Sequence, residues 1–241
     1  MHLSPYSSNR LLASLPVEDF EFIRPSLRSV ELTRESVLAR AGDTIPCVYF
    51  PQEGVISLVV RLSEGEMVEV AMIGRDSCFG AAVAHDGDIS LNDAMVQLPG
   101  KALTLETQHF RRATEQSLAF RRALLLQEQV VLIQAQQSAA CNAYHSVESR
   151  LARWLLRMHD LFDGDILPLT QGFLAEMIGA RRNSVSLVAH TLQQAGLIRY
   201  SRGNVEITDL EGLKESACEC YETVKSRCDR LSSRDYARAC R

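Results

Sequence analysis

Residues 169–198 read LTQGFLAEMIGARRNSVSLVAHTLQQAGLI, and the rest of the chain is understood from this stretch. Thr170 suits a helix N-cap, and Phe173, Leu174, Met177 and Ile178 follow as an apolar helical face that ends at Gly179. Glycine has no Cβ and takes the left-handed conformation that reverses a chain between helices. A second helix begins near Arg181, with Val185, Val188, Ala189 and Leu192 on its inner side. The pattern predicts helix, tight turn, helix. Arg181, Arg182, Asn183, Ser184 and Ser186 then stand at the exposed N-terminal end of the second helix, the part that meets base edges when a helix lies in a major groove. Arg can clamp guanine O6 and N7, Asn can clamp adenine N6 and N7, and Ser serves bases or phosphates. A helical hairpin with a merely solvated basic cap is the bland alternative. The glycine turn, the apolar spacing and the local charge agree against it.

Two short β runs follow, Leu197–Tyr200 and Val205–Thr208, around the turn Ser201-Arg-Gly-Asn. They form a wing whose tip, Arg202 to Asn204, reaches a neighbouring phosphate and positions the helix without reading sequence. Thr170 and Gln171, at the start of the first helix, are further phosphate-contact candidates. Between Thr170 and Asn204 the only acid is Glu176, against Arg181, Arg182, Arg199 and Arg202. The whole chain gives no such signal, with 26 Lys and Arg against 30 Asp and Glu and a net charge of −4. Residues 1–145 hold 12 basic and 17 acidic side chains, and residues 146–241 hold 14 and 13. A basic surface is therefore local to one module.

Upstream, residues from about 15 to 105 alternate β-type runs with turns. Val30–Leu32, Cys47–Phe50, Val55–Leu62, Met67–Ile73 and Asn92–Leu98 are the expected strands. Turns at 41–43, 51–54, 63–66, 74–76 and 86–88 separate them, each with glycine or a turn-forming acid. Their regular spacing predicts an antiparallel roll or sandwich. From Glu106 to about Tyr144 there is neither Gly nor Pro, and one long helix is expected. Leu118, Leu125, Leu132 and Ala139 recur every seven residues, flanked by Leu124 and Val131, as in a two-helix seam. A single amphipathic helix lying on its own domain is the alternative. Another helix is expected from Val147 to about Phe162, before a turn at 163–165.

Seven cysteines, from Cys47 to Cys240, make neither a secreted disulfide framework nor a C-x-x-C pair, and a reducing cytoplasm fits them. Cys218, Cys220 and Cys228 could bind zinc or respond to oxidation, but Cys-x-Cys leaves a set short of four, and small apolar helix residues are the plainer reading. His145 and Glu148 could share a metal; a solvated surface pair is the plainer reading. No cofactor is expected. The longest apolar run, Val55–Val60 broken by Ser57, is far below a membrane span, and no export leader is seen.

An N-terminal β-roll, a long central helix and a C-terminal winged helix-turn-helix resemble the Crp-Fnr superfamily of bacterial transcription regulators. The segment Leu-Thr-Gln-x-x-Leu-Ala-x-x-Ile-Gly-x-x-Arg-x-Ser-Val, beginning at Leu169, carries most of that likeness. The resemblance implies an α+β chain: an antiparallel β-roll (a double-stranded β-helix) over 1–110, a central dimerisation helix over 111–145, and a winged helix-turn-helix with a C-terminal helical extension over 146–241. It implies a homodimer on double-stranded DNA, with RNA polymerase as a further partner. The operator-contacting Arg of the family falls on Arg182, the next contact on Asn183, and the phosphate contacts on Thr170 and Gln171. A base-contacting Arg of some members falls on Leu187.

The effector site departs from the family. Cyclic-nucleotide-binding members hold the ribose with Gly-Glu and neutralise the phosphate with Arg-Ser; here Gly80 precedes Ala81, and Asn92-Asp93 stands for the second pair. An Asp at a phosphate site repels it, and no cyclic nucleotide is expected to bind. The N-terminal cysteine ligands of an iron-sulfur sensor are missing, since the first cysteine is Cys47. An unidentified small-molecule effector, a regulator controlled by abundance or cysteine oxidation, and a non-DNA adaptor remain open. No hydrolase, zinc-protease, dinucleotide or P-loop signature occurs, and an enzyme is not expected.

Overall fold

The structure, a computed structural model, describes residues 8–85, 87–162, 164 and 166–238, with side chains through Asp229. Asp86, Asp163 and Asp165 of two expected turns, and Cys240, lie outside the described residues. Two short helices, α1 (Arg10–Ala13) and α2 (Val17–Ile23), lead into β1 (Arg28–Leu32), β2 (Val37–Ala39), β3 (Cys47–Pro51), β4 (Val55–Arg61), β5 (Met67–Ile73), β6 (Asp93–Leu98) and β7 (Gly100–Glu106). Helices α3 (Thr107–Gln116), α4 (Leu118–Tyr144) and α5 (Val147–Leu161) follow. The C-terminal module adds β8 (Ile166–Leu167), α6 (Gln171–Met177), α7 (Arg182–Gln194), β9 (Ile198–Ser201), β10 (Asn204–Ile207), α8 (Leu210–Ser216) and α9 (Cys220–Arg238). No helix among the described residues is long and apolar enough to cross a membrane.

The seven N-terminal strands form two antiparallel sheets, ordered β1-β7-β3 and β2-β6-β4-β5. All five expected strands are present, and β2 and β7 were not anticipated. β2 is too short to show alternation. In β7, Lys101, Ala102, Leu103 and Glu106 favour helix locally, but pairing with β1 on one side and β3 on the other overrides propensity. The two short N-terminal helices were also not expected. Asn9 anchors them: its buried amide donates to the carbonyls of Pro51 and Ser77, both at 2.8 Å, while its oxygen caps Leu12.

The expected continuous helix is broken at Ser117, whose backbone is extended (φ −111°, ψ 113°). The Ser117 hydroxyl accepts from the Phe120 amide at 2.9 Å and donates to the Asp19 carboxylate. Serine competes for backbone hydrogen bonds in this way and favours caps over helix interiors. The break lets Phe110 and Phe120 meet edge to face, 5.4 Å between centroids, inside the roll.

Helix α4 has a buried face of mixed apolar and polar residues and an exposed apolar stripe. Phe120, Leu124, Gln127, Gln134, Ser138 and Cys141 are buried, whereas Leu118, Leu125, Leu132 and Ala139 are exposed. Leu124, expected to flank the exposed seam, packs instead into the core of its own roll, where Val131 also rests. Residues two apart on a helix point to nearly opposite sides, so Gln127 and Leu125 face different surroundings. Gln134 accepts from the Met72 amide (3.1 Å) and donates to the Met72 carbonyl (3.3 Å). Gln127 donates to the Cys78 carbonyl at 3.0 Å.

The sheet β2-β6-β4-β5 is covered on both faces. Ile56, Leu58, Ala71 and Ile73 point into the roll, while Val55, Val59, Met72 and Leu98 join a second core with Leu151, Trp154, Leu155 and Met158 of α5. Double burial explains the nearly uninterrupted apolar run in β4. One carboxyl group lies within this second interface. Glu69 accepts from Trp154 Nε1 at 2.8 Å and from the Ser57 hydroxyl. Burial pushes its pKa from the usual carboxylate range up to about 7, although both hydrogen bonds and the fields of Arg153 and Arg157 oppose the rise.

A carboxyl whose pKa rises on folding stabilises the fold below its unfolded value, and that contribution is lost as pH climbs through the folded value. Stability should therefore decline between about pH 4.5 and 7, by up to about 3 kcal/mol from this group. Glu69→Gln keeps an acceptor for Trp154 and should flatten the slope of urea-unfolding stability from pH 5 to 8. An unaltered slope in the variant would assign the dependence to other groups.

Candidate nucleic-acid interface

Helix α6 starts where the Thr170 hydroxyl accepts from the Phe173 amide (3.3 Å), and it buries Leu174, Ala175 and Met177. The chain turns at Gly179, in the left-handed region at φ +59°. A Cβ there would sit 3.0 Å from Val68 Cγ2, so the turn rests directly on β5 of the roll. Arg150, buried on α5, donates to the carbonyls of Ile178 and Gly179 and holds the turn from behind.

Helix α7 begins after Arg181, which makes no side-chain cap. Val185, Ala189 and Leu192 are buried and Val188 is half-buried, as their spacing predicts. Arg181, Arg182 and Asn183 are exposed on the first turn, and Ser184 is half-buried. Ser186 is engaged within the module: its hydroxyl donates to Gln171 Oε1 at 2.7 Å. The Gln171 amide in turn donates to the Tyr200 hydroxyl at 3.1 Å, and the Tyr200 amide donates to Gln193 at 2.7 Å. These bonds tie α6, α7 and the wing into one unit. Leu187, one turn beyond Asn183, is 67% exposed.

The wing is a hairpin of β9 and β10 in register Asn204 with Ser201, with β8 on the outer side of β10. Both residues of its tip are left-handed, Arg202 at φ +48° and Gly203 at φ +80°, as a two-residue hairpin turn of the right twist requires. Gly203 lies against Thr170, a Cβ on it falling 3.7 Å from Thr170 Cγ2, so the wing tip and the start of α6 share one surface. Arg199 is paired across the hairpin with Glu206 at 2.8 Å, while Arg181, Arg182 and Arg202 are exposed.

In the roll, Gly80 is left-handed (φ +96°) and packed on Ile45 and Val48, and Ala81 opens a 3-10 helix that ends at His85. Asn92 is half-buried, and its carbonyl accepts from the Ser90 hydroxyl at 2.7 Å. Asp93 is buried. It accepts from the Ala41 amide at 2.9 Å and from Arg61 at 3.0 Å. Burial alone would raise its pKa, but the amide and the guanidinium outweigh it and hold the carboxyl below its usual range. Elsewhere, Arg10, Asp76, Arg157, Asp160, Lys225 and Cys228 line a cavity of about 440 Å³ between the roll and α4, α5 and α9.

The tail cysteines divide. Cys218 and Cys220 meet Cys141 and His145 at the end of α4, whereas Cys228 lies apart, on the cavity. Sequence reasoning missed Cys141, since its partners are far along the chain. The expected pairing of His145 with Glu148 is replaced, because α4 ends at Tyr144 with His145 as its C-cap and α5 restarts from its Ser146 cap; His145 turns to Glu219 and Cys220 instead.

Residues 149–216 match the family model of the Crp-like helix-turn-helix domain, and residues 29–117 match that of the cyclic nucleotide-binding domain. The fold is shared with FixK2 of Bradyrhizobium japonicum (15% identity, 80% of this chain and 98% of that one, TM-score 0.68). It is shared equally with a putative transcriptional regulator of the Crp/Fnr family from Eubacterium rectale (13%, 89% and 99%, TM-score 0.68). The c-di-GMP responsive global regulator CLP of Xanthomonas campestris is a third (17%, 80% and 99%, TM-score 0.63). No curated protein gives a significant match. With a roll of one family model and a winged helix-turn-helix of the other in this order, the chain belongs to the Crp-Fnr superfamily of transcription regulators.

Gly179→Ala places a Cβ in the left-handed region and against Val68, at a cost of about 1–2 kcal/mol. A lower urea midpoint with an unchanged slope is the expected result, and an unchanged midpoint would contradict the described turn.

Proposed function

We propose that the chain is a homodimeric, cytoplasmic transcription regulator that reads a palindromic operator through α7, divided into a roll over 1–110, a dimerisation helix over 111–145 and a DNA-binding module over 146–241. The observation that carries this reading is the exposure of Arg181, Arg182 and Asn183 at the start of α7, in a unit where Ser186 bonds Gln171 of α6 and the wing tip at Gly203 lies against Thr170. Arg182 and Asn183 are the base readers, with Arg181 and Ser184 beside them. Thr170, Gln171 and Arg202 hold the phosphates. Ser186 fixes Gln171 more than it reads a base. Leu187 offers an apolar contact to a thymine methyl, where an Arg would have read guanine.

Dimerisation follows from the exposed stripe Leu118, Leu125, Leu132 and Ala139, which runs along α4 opposite the face glued to the roll. A second copy pairing along this seam would carry two α7 helices to grooves about one helical turn apart. The roll holds a regulatory role through an effector other than a cyclic nucleotide: Asp93, fixed by Arg61 and the Ala41 amide, falls at the sequence position where the resemblance puts a phosphate-neutralising pair, and a carboxylate there repels a phosphate. RNA polymerase is the further protein partner of this reading.

Arg182→Ala should weaken operator binding by about 1–3 kcal/mol and relax selectivity at one base position, read by titration of labelled duplexes. The same affinity and footprint in the variant would sink the assignment of α7. Leu125→Glu with Leu132→Glu should convert dimer to monomer in sedimentation without loss of helix signal, and a surviving dimer would place the seam elsewhere.

A further inference from the structure

Three buried thiols and an imidazole converge at the junction where α4 ends and α9 begins. Cys141 lies in the last turn of α4, His145 is its C-cap, Cys218 precedes α9 and Cys220 opens it. Cys141 Sγ and Cys218 Sγ are 3.5 Å apart, Cys220 Sγ and His145 Nδ1 are 3.4 Å apart, and all four ligand atoms lie within 4.8 Å of one another. A tetrahedral ion with Zn–S near 2.3 Å and Zn–N near 2.0–2.1 Å spaces its ligands about 3.7 Å between sulfurs and about 3.5 Å from sulfur to nitrogen. The Cys141–Cys218 and Cys220–His145 spacings are close to these values, and every other pair lies within 4.8 Å. They are also too tight for ligands spread around a cluster of several irons.

The surroundings have the form of a metal site's outer shell. His145 presents Nδ1 to Cys220, and its other nitrogen faces the Glu219 carboxylate at 3.3 Å, an arrangement that fixes the tautomer of a ligating histidine. The Gln137 amide donates to Cys220 Sγ at 3.1 Å. These cysteines form a buried cluster of their own, outside both large apolar cores, which argues against simple core filling. Cys78 shows the contrast, since it is one small residue within the roll's core.

We infer that Cys141, His145, Cys218 and Cys220 bind one tetrahedral zinc ion that clasps the C-terminal helix to the hinge of the chain. Thiolate and imidazole ligands in a closed set of four favour zinc over hard, oxygen-seeking cations. The ion joins α9 to the end of α4 directly before Ser146, where α5 and the helix-turn-helix module begin. Holding this point sets how that module is carried, an effect on DNA that rests on the function proposed above; the metal site itself does not.

The test uses the full-length protein, purified under reductant without a histidine tag. Elemental analysis should give one zinc per chain, and cobalt(II) in its place should show the visible absorption of a tetrahedral thiolate site. Zinc should shield Cys141, Cys218 and Cys220 from alkylation, mapped by mass spectrometry, until a chelator is added. Cys220→Ser and His145→Gln should lower zinc affinity by more than 100-fold, beyond the 10–100-fold typical of lost outer-shell contacts. Cys228→Ser should leave it unchanged. Should Cys220→Ser fail to fold, His145→Gln on the half-exposed rim and the alkylation map of the unaltered chain decide alone. Absence of stoichiometric zinc or cobalt, equal alkylation with and without metal, or equal metal loss in Cys228→Ser overturns the site. Zinc bound with no DNA fragment retained would leave the site standing and refute the regulator reading.

Discussion

The burial of the sheet β2-β6-β4-β5 on both of its faces governs the rest of the molecule. A roll closed around its own core needs only one apolar face on each sheet, with the other face solvated. Here Val55, Val59, Met72 and Leu98 make the outer face apolar as well, and α5 answers with Leu151, Trp154, Leu155 and Met158. The winged helix-turn-helix module is therefore seated on the roll instead of hanging from a linker. Removing a fully packed tryptophan such as Trp154 costs about 3–5 kcal/mol in a core of this kind, comparable to a large part of a domain's net stability.

Apolar contact alone would let the module slide on its seat. Glu69, Ser57 and Trp154 place a directional set of hydrogen bonds at its centre, where an unmatched polar atom is costly. Arg150 adds a second directional tie, from α5 to the carbonyls of the Gly179 turn. An effector of the kind proposed above would reach α7 only by favouring one seating over another, to the extent of its differential affinity. A tenfold change in that balance corresponds to about 1.4 kcal/mol, within the range of one such bond.

Much of this was legible in the residues, and the remainder was hidden for physical reasons. Local grammar showed the helix-turn-helix almost to the residue, because Thr170, Gly179 and the Val185–Leu192 spacing each act within one turn of chain. The Ser117 break was invisible, since serine becomes a cap there only because Asp19 and the Phe110–Phe120 contact lie in place. Leu124 read as seam because heptad spacing counts apolar residues without telling which of two partners each will meet. Gln127 and Gln134 carry no local sign of their targets, which are backbone groups of the roll. Cys141 meets Cys218 77 residues along the chain and His145 meets Cys220 75 residues along it, across the intervening α5 to α8. In each miss, long-range packing decided the role of a residue whose neighbours in the chain were silent.

Gln134 has a consequence of a different kind. Strand β5, Met-Val-Glu-Val-Ala-Met-Ile, is the edge of its sheet, and an uncovered apolar edge is a template for strand addition by any passing chain. The Gln134 side chain offers the Met72 backbone one acceptor and one donor, much as a neighbouring strand would. The Gly179 turn covers Val68 farther along the same edge. Helix α4 thus guards the roll against aggregation, and a fragment that ends before Leu118 would expose a sticky border that the whole chain keeps closed.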